Sequence, residues 1–67
     1  MDWIQWIGKK IFVRLDSGSY FNGIVENVEY IGKNNFNVDL YMFTIIDKFG
    51  LIVCFRNNEI KSIKEEQ

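Results

Sequence analysis

The sequence predicts an all-β domain made of a short N-terminal helix followed by five strongly bent antiparallel strands. Three observations predict it. From Lys9 onward apolar residues recur with a period of two, in segments separated by clusters of Gly, Asp, Asn and Ser. Within the second of these segments the apolar parity shifts, as it does where a strand bulges or bends. The chain has no proline, no low-complexity stretch and no repeat, so nothing divides residues 1–67 into more than one domain. Bending lets few strands curl round and hide their edges, and the pattern is that of a small closed or nearly closed barrel.

Each element has a local reason. Trp3, Trp6 and Ile7 stand at helical spacing behind Asp2, a good N-cap, which predicts a helix over about 2–7 ended by Gly8. The first strand runs from Lys9, with Ile11, Val13 and Leu15 inward and Phe12 and Arg14 outward. Asp16-Ser17-Gly18-Ser19 supplies a tight turn. A second strand runs from Tyr20 to about Ile31. Phe21, Gly23 and Val25 share one face, but the next aliphatic partner is Val28, which predicts a bulge near Glu26-Asn27. The segment from Ile31 to Asn35 reads as a loop.

The third strand is predicted to start at Phe36, with Phe36, Val38, Leu40 and Met42 inward and Tyr41, Phe43 and Ile45 making its outward side apolar as well. After a turn at Asp47-Lys48-Phe49-Gly50, the stretch from Leu51 to Phe55 is apolar at every position. Strands without a polar face are covered on both sides or lie at an interface. Arg56-Asn57-Asn58-Glu59 forms a polar corner, Ile60 and Ile63 mark a last short strand, and a charged tail occupies about 64–67.

Composition narrows the functions available. A domain of 67 residues buries only about 60% of the surface its unfolded chain exposes. Cys54 is the single cysteine and histidine is absent, so neither an intrachain disulfide nor a Cys/His zinc site can reinforce the fold. Oligomerisation or an unusually good core remains. Hydrophobic residues at 48% and aromatics at 16% suit either route. Eight basic against nine acidic side chains give a net charge of −1, which argues against binding nucleic acid mainly by neutralising phosphates. Without histidine, a Gly-rich phosphate loop or an evident carboxylate pair, an enzyme is not expected, nor is a cofactor. No apolar run reaches the roughly 20 residues a membrane helix needs, and Met1-Asp2-Trp3 does not open a signal sequence, so a cytoplasmic protein is expected, with Cys54 reduced and buried.

Several segments resemble the Sm and Sm-like family in order and spacing. Gly8 to Gly18 and Tyr20 to Val25 resemble that family's first two strands, and Val28 and Glu29 fall at its hydrophobic and acidic positions. Phe36-Asn37-Val38-Asp39-Leu40 is similar to its third-strand motif, and Phe55 to Ile60 to its second motif, with Asn57 standing where the family has glycine. The resemblance implies a bent five-stranded barrel of Src-homology-3 type whose subunits close into rings of six to eight by pairing the fourth strand of one with the fifth of the next. Leu51, Val53, Phe55, Ile60, Ile63, Tyr41 and Phe43 are then the expected interface. It also implies binding of short uridine-rich single-stranded RNA, with Phe36 stacking on a base, Asn37 reading its edge, Arg56 covering it beside Asn57, and Tyr30 as a second stacking residue. Base stacking on an aromatic ring contributes about 1–3 kcal/mol and does not require a basic protein. Two alternatives remain open: a structural or protein-interaction barrel, dimeric or ring-shaped, without nucleic-acid binding, and a binder of single-stranded DNA.

Overall fold

The computed structural model describes residues 2–66. Asp2 caps the chain's first element by accepting the Ile4 N–H at 3.1 Å. That element is a single 3-10 turn, Trp3–Trp6, closed at Ile7 rather than Gly8. Five strands follow: β1 Lys10–Leu15, β2 Tyr20–Lys33, β3 Asp39–Asp47, β4 Ile52–Arg56 and β5 Ile60–Glu65, with a second 3-10 turn, Asn57–Glu59, between the last two. All neighbours are antiparallel in one sheet of order β4-β3-β2-β1-β5. The all-β expectation holds in this coarse form. The sheet is not closed: β4 pairs only with β3 and β5 only with β1. On the unpaired side the interior is filled by side chains instead of a ladder, with Val53 from β4 and Ile60 and Ile63 from β5 packed against the buried cluster.

Connectivity forces the curl. Strands β4 and β5 lie at opposite edges, and in a flat sheet five strands spaced about 4.8 Å apart would separate those edges by about 19 Å. Four chain steps from Arg56 to Ile60 span at most about 14 Å when extended, and a 3-10 turn is shorter still. The intervening strands must therefore bend. The ladder slips most often along β2, whose pairing with β3 shifts register twice, between Val25 and Asn27 and between Tyr30 and Gly32, against one shift between β1 and β5 at Arg14-Leu15. The first slip coincides with the parity shift at Glu26-Asn27.

The core follows from inward parity. Ile11, Val13 and Leu15 from β1, Val25 and Val28 from β2, Phe43 and Ile45 from β3 and Phe55 from β4 are buried. Phe43 lies at its centre, stacked on Phe55 at 5.3 Å and met edge-on by Trp3 at 5.7 Å. Trp3 and Trp6 pack on this cluster from the N-terminal turn. Three expectations are corrected here. Strand β3 begins at Asp39, not Phe36, and its inward residues are the odd-numbered Phe43 and Ile45 rather than Leu40 and Met42. Because Phe55 takes the inward position in β4, its neighbour Cys54 is exposed, not buried. The second strand extends to Lys33 through the segment read as a loop.

Gly23 marks a close backbone approach between β2 and β3. A Cβ there would sit inside van der Waals contact of the Ile46 carbonyl, which belongs to backbone and cannot swing aside. Gly23→Ala is expected to destabilise the domain by about 1–3 kcal/mol, seen as a lower denaturation midpoint; an unchanged midpoint would show that β2 and β3 separate there without cost.

Candidate functional site

The β2–β3 connection is organised by one asparagine. The Asn34 Oδ1 accepts the N–H groups of Phe36 at 2.9 Å and Val38 at 3.1 Å, and the Asn34 N–H donates to the Val38 carbonyl at 3.0 Å. Asn37 takes a left-handed conformation, φ 62°, which Asn tolerates better than most residues. This compact loop holds Phe36 outside the sheet, where it is 85% exposed. Phe36 is thus no core residue. It is a free aromatic ring at a hairpin tip.

The 57–59 corner is built by two polar side chains. Asn57 is buried, and its amide serves both sides of a gap: Oδ1 accepts the Tyr41 N–H at 2.9 Å, while Nδ2 donates to the Asp39 carbonyl at 3.0 Å. It thereby continues the β3 ladder beyond the end of β4. Glu59 reaches back to accept the Arg56 N–H at 2.7 Å and lies 3.7 Å from the Arg56 Nε. Arg56 is exposed and shares the outward parity of Ile52 and Cys54.

Between these two loops lies a polar and aromatic cluster. The Tyr30 hydroxyl donates to Asp39 Oδ1 at 3.2 Å, the Lys33 Nζ lies 2.7 Å from the same oxygen, and the Tyr30 and Tyr41 rings meet edge-on at 5.3 Å. Lys33, then Tyr30, hold the Asp39 carboxyl below its ordinary value of 3.8. The hydrogen bond to Asp39 raises Lys33. Tyr30 is also pushed up, first by partial desolvation and then by that carboxylate. A shallow depression of about 500 Å³ opens beside the cluster, lined by Trp3, Val38, Asp39, Tyr41, Asn57 and Asn58.

The structure brings some of the expected site residues together and separates others. Tyr30 and Asn57 share the neighbours Asp39 and Tyr41. Phe36 and Asn37 stand beyond the start of β3, whereas Arg56 pairs in register with Met42, about 10 Å further along the strand from Asp39. Among the expected interface residues, Phe43 and Phe55 are buried in the core, and Tyr41, Val53, Ile60 and Ile63 pack against it. Leu51 is exposed but precedes β4. The exposed apolar surface near that edge is instead Phe49, Leu51 and Ile52. Sequence reading missed Lys33 and Asp39 as partners of Tyr30. The spacing of three asparagines at 34, 35 and 37 was the available sign that the loop lies there and that Asp39 opens the strand.

Among the described residues no group of three potential metal ligands occurs, and no helix is long and apolar enough to cross a membrane. Set against protein-family models, curated proteins and solved structures, the chain gives no match.

Removing the Asn57 amide leaves the Tyr41 N–H and the Asp39 carbonyl without their partner. Asn57→Ala is expected to cost about 1–3 kcal/mol, measured by chemical denaturation, and a smaller loss would mean that water replaces the amide. The lowered Asp39 carboxyl contributes stability that is complete above the ordinary aspartate value of 3.8 and is lost as pH falls through its lower folded value. Acid titration followed by NMR should therefore release Lys33 and Tyr30 together below that pH, and Asp39→Asn should abolish the transition.

Proposed function

We propose that this chain is an Sm-like subunit, a binding module rather than an enzyme, that associates edge to edge with copies of itself and binds short single-stranded, uridine-rich RNA. The observation that carries the reading is the pair of unpaired edges, β4 and β5, on one curled sheet. Strand β4 is weakly protected as a free edge: its one charge is Arg56 at its end, and Ile52 is 71% exposed beside Leu51 and Phe49. Pairing β4 with the β5 of a neighbour would satisfy both edges and cover part of this apolar strip, and a repeated head-to-tail contact can close a ring, for which the Sm-like resemblance implies six to eight subunits. The exposed Phe36 ring and the half-exposed Arg56 are the groups available to a base; Asn57 borders the adjacent depression, and Tyr30 contacts two of its lining residues, Asp39 and Tyr41.

A second reading is favoured by the corner. Asn57 already spends its amide on backbone, and Glu59 engages Arg56. Under this reading the assembly is a protein-interaction module without an RNA pocket at these loops. The two part on Arg56→Ala, which weakens oligouridine binding under the first and changes nothing under the second.

Native mass spectrometry with light scattering tests the assembly. The expected result is a mass of six to eight subunits, reduced to monomer by Ile52→Lys with an unchanged circular dichroism spectrum. A wild-type monomer at all concentrations sinks the ring. A ring that gives no anisotropy change with oligouridine at low salt sinks the RNA half alone.

A further inference from the structure

The outer face of β5, β1 and β2 carries a second arrangement of aromatic and basic side chains. Strand register lays Ser62, Arg14 and Tyr20 side by side in one row, and Lys64, Phe12 and Asn22 in the next. The Phe12 and Tyr20 rings lie 6.1 Å apart, tilted by 33°, and the Lys64 Nζ sits 5.5 Å from the centre of the Phe12 ring. With Arg14, Ser62 and Ile63 they line an open groove of about 380 Å³. Tyr20 is more than half exposed, too much to be core. Among the described residues no carboxylate lies within ion-pair distance of Arg14 or Lys64. The carboxylate next along this face, Glu66, is held by Lys10 at 3.0 Å.

Tyr20 also borders a smaller depression of about 120 Å³ with Lys48 and Phe49 on its far side. There the Lys48 Nζ lies 5.3 Å from the Phe49 ring centre, and Asp47 is occupied in accepting the Phe49 and Leu51 N–H groups. The face thus carries two aromatic and lysine pairs with Tyr20 between them. Cations without carboxylate partners select an anionic ligand, and exposed rings beside them select one with flat faces of its own. A peptide of Asp and Glu or a lipid headgroup supplies the charge without the rings, and duplex DNA conceals the faces of its bases. Unpaired bases on a phosphodiester chain supply both.

We propose that the groove between β1, β2 and β5 is a stacking site for single-stranded nucleic acid, in which Tyr20 and Phe12 receive a base and Arg14 and Lys64 the flanking phosphates. The proposal rests on the reading above for the class of ligand only. Its residues are different, and it needs no ring. Nothing in the groove selects for the sugar, so RNA and DNA are bound alike.

Fluorescence anisotropy of labelled oligouridine and oligothymidine, titrated with the full chain at low and at physiological salt, tests it. Tyr20→Ala should weaken both complexes by about ten-fold or more, within the range of a single base stacked on a ring, while Tyr20→Phe binds as wild type. Replacing both Arg14 and Lys64 by Gln should flatten the log–log salt slope by about 1.4, from about 0.7 for each phosphate that is no longer neutralised. Circular dichroism shows whether each variant folds. Binding that survives Phe36→Ala and Arg56→Ala but not Tyr20→Ala supports this groove and overturns the loop site; the reverse pattern overturns the groove and leaves the loop site standing. The groove is equally overturned if the wild type binds neither oligomer, or if polyglutamate displaces the strand as well as unlabelled oligothymidine does, which would mean that charge alone is read.

Discussion

The constraint on which the rest of the structure depends is the three-residue turn at Asn57–Glu59, because it joins two strands that stand at opposite edges of the same sheet. Few residues can bridge those edges unless the sheet between them rolls up. The double slip of β2 against β3 and the close backbone approach at Gly23 accommodate that roll. The corner itself needs support, since β4 ends before β3 does. Asn57 supplies it by standing in for a missing strand, accepting from one residue of β3 and donating to another. Its two hydrogen bonds are ladder bonds made by a side chain.

The distribution of aromatic residues follows from the same roll. The concave side is small and admits Phe43 and Phe55, with Trp3 against them. Trp6, Phe21 and Tyr41 pack at its margin, and the other rings are left outside: Tyr30 on β2, Phe36 on the β2–β3 loop, Phe49 on the β3–β4 turn, Tyr20 and Phe12 on the outer face of β1 and β2. An apolar excess that is large for so small a chain is therefore only partly absorbed by the core. What is left lies in three places with different company, beside free backbone at the β4 edge, beside an asparagine-rich loop, and beside unpaired cations. Company decides the partner each can take: a second strand in the first case, planar or anionic groups in the other two.

Strand β1 and the inward role of Ile11, Val13 and Leu15 were legible because Lys10 and Arg14 mark the outward parity despite Phe12, and the bulge in β2 because the apolar parity shifts between Val25 and Val28. Strand β3 was not. From Leu40 to Ile46 both parities are apolar apart from Thr44, so alternation cannot say which side is inward, and Phe36 and Val38 extended the even parity falsely through a loop. The error carried into β4, where an unbroken apolar run concealed that Phe55 is inward and Cys54 outward. At the candidate site, Arg56 and Phe36 were legible as residue types but not as neighbours, since their separation depends on where β3 starts. The amide of Asn57 links positions 16 and 18 residues apart through backbone atoms, and no property of an asparagine in a polar corner reveals it.

The pairing of β1 with β5 has a consequence for how the chain folds. Strands β1 to β4 form a meander in which every pairing joins sequence neighbours through a short connection, so each can form early from local contacts. Strand β5 has no such route. Its partners in β1 lie near the other end of the chain, with Ile11 facing Glu65 and Val13 facing Ile63, and closing so long a loop carries the largest entropy cost in the fold. On sequence separation alone, β5 is the strand expected to dock last, onto a β1 already held by β2. With β5 undocked the sheet would have β1 as its edge, with Ile11 and Val13 incompletely covered, and that edge is where one chain could capture the β5 of another.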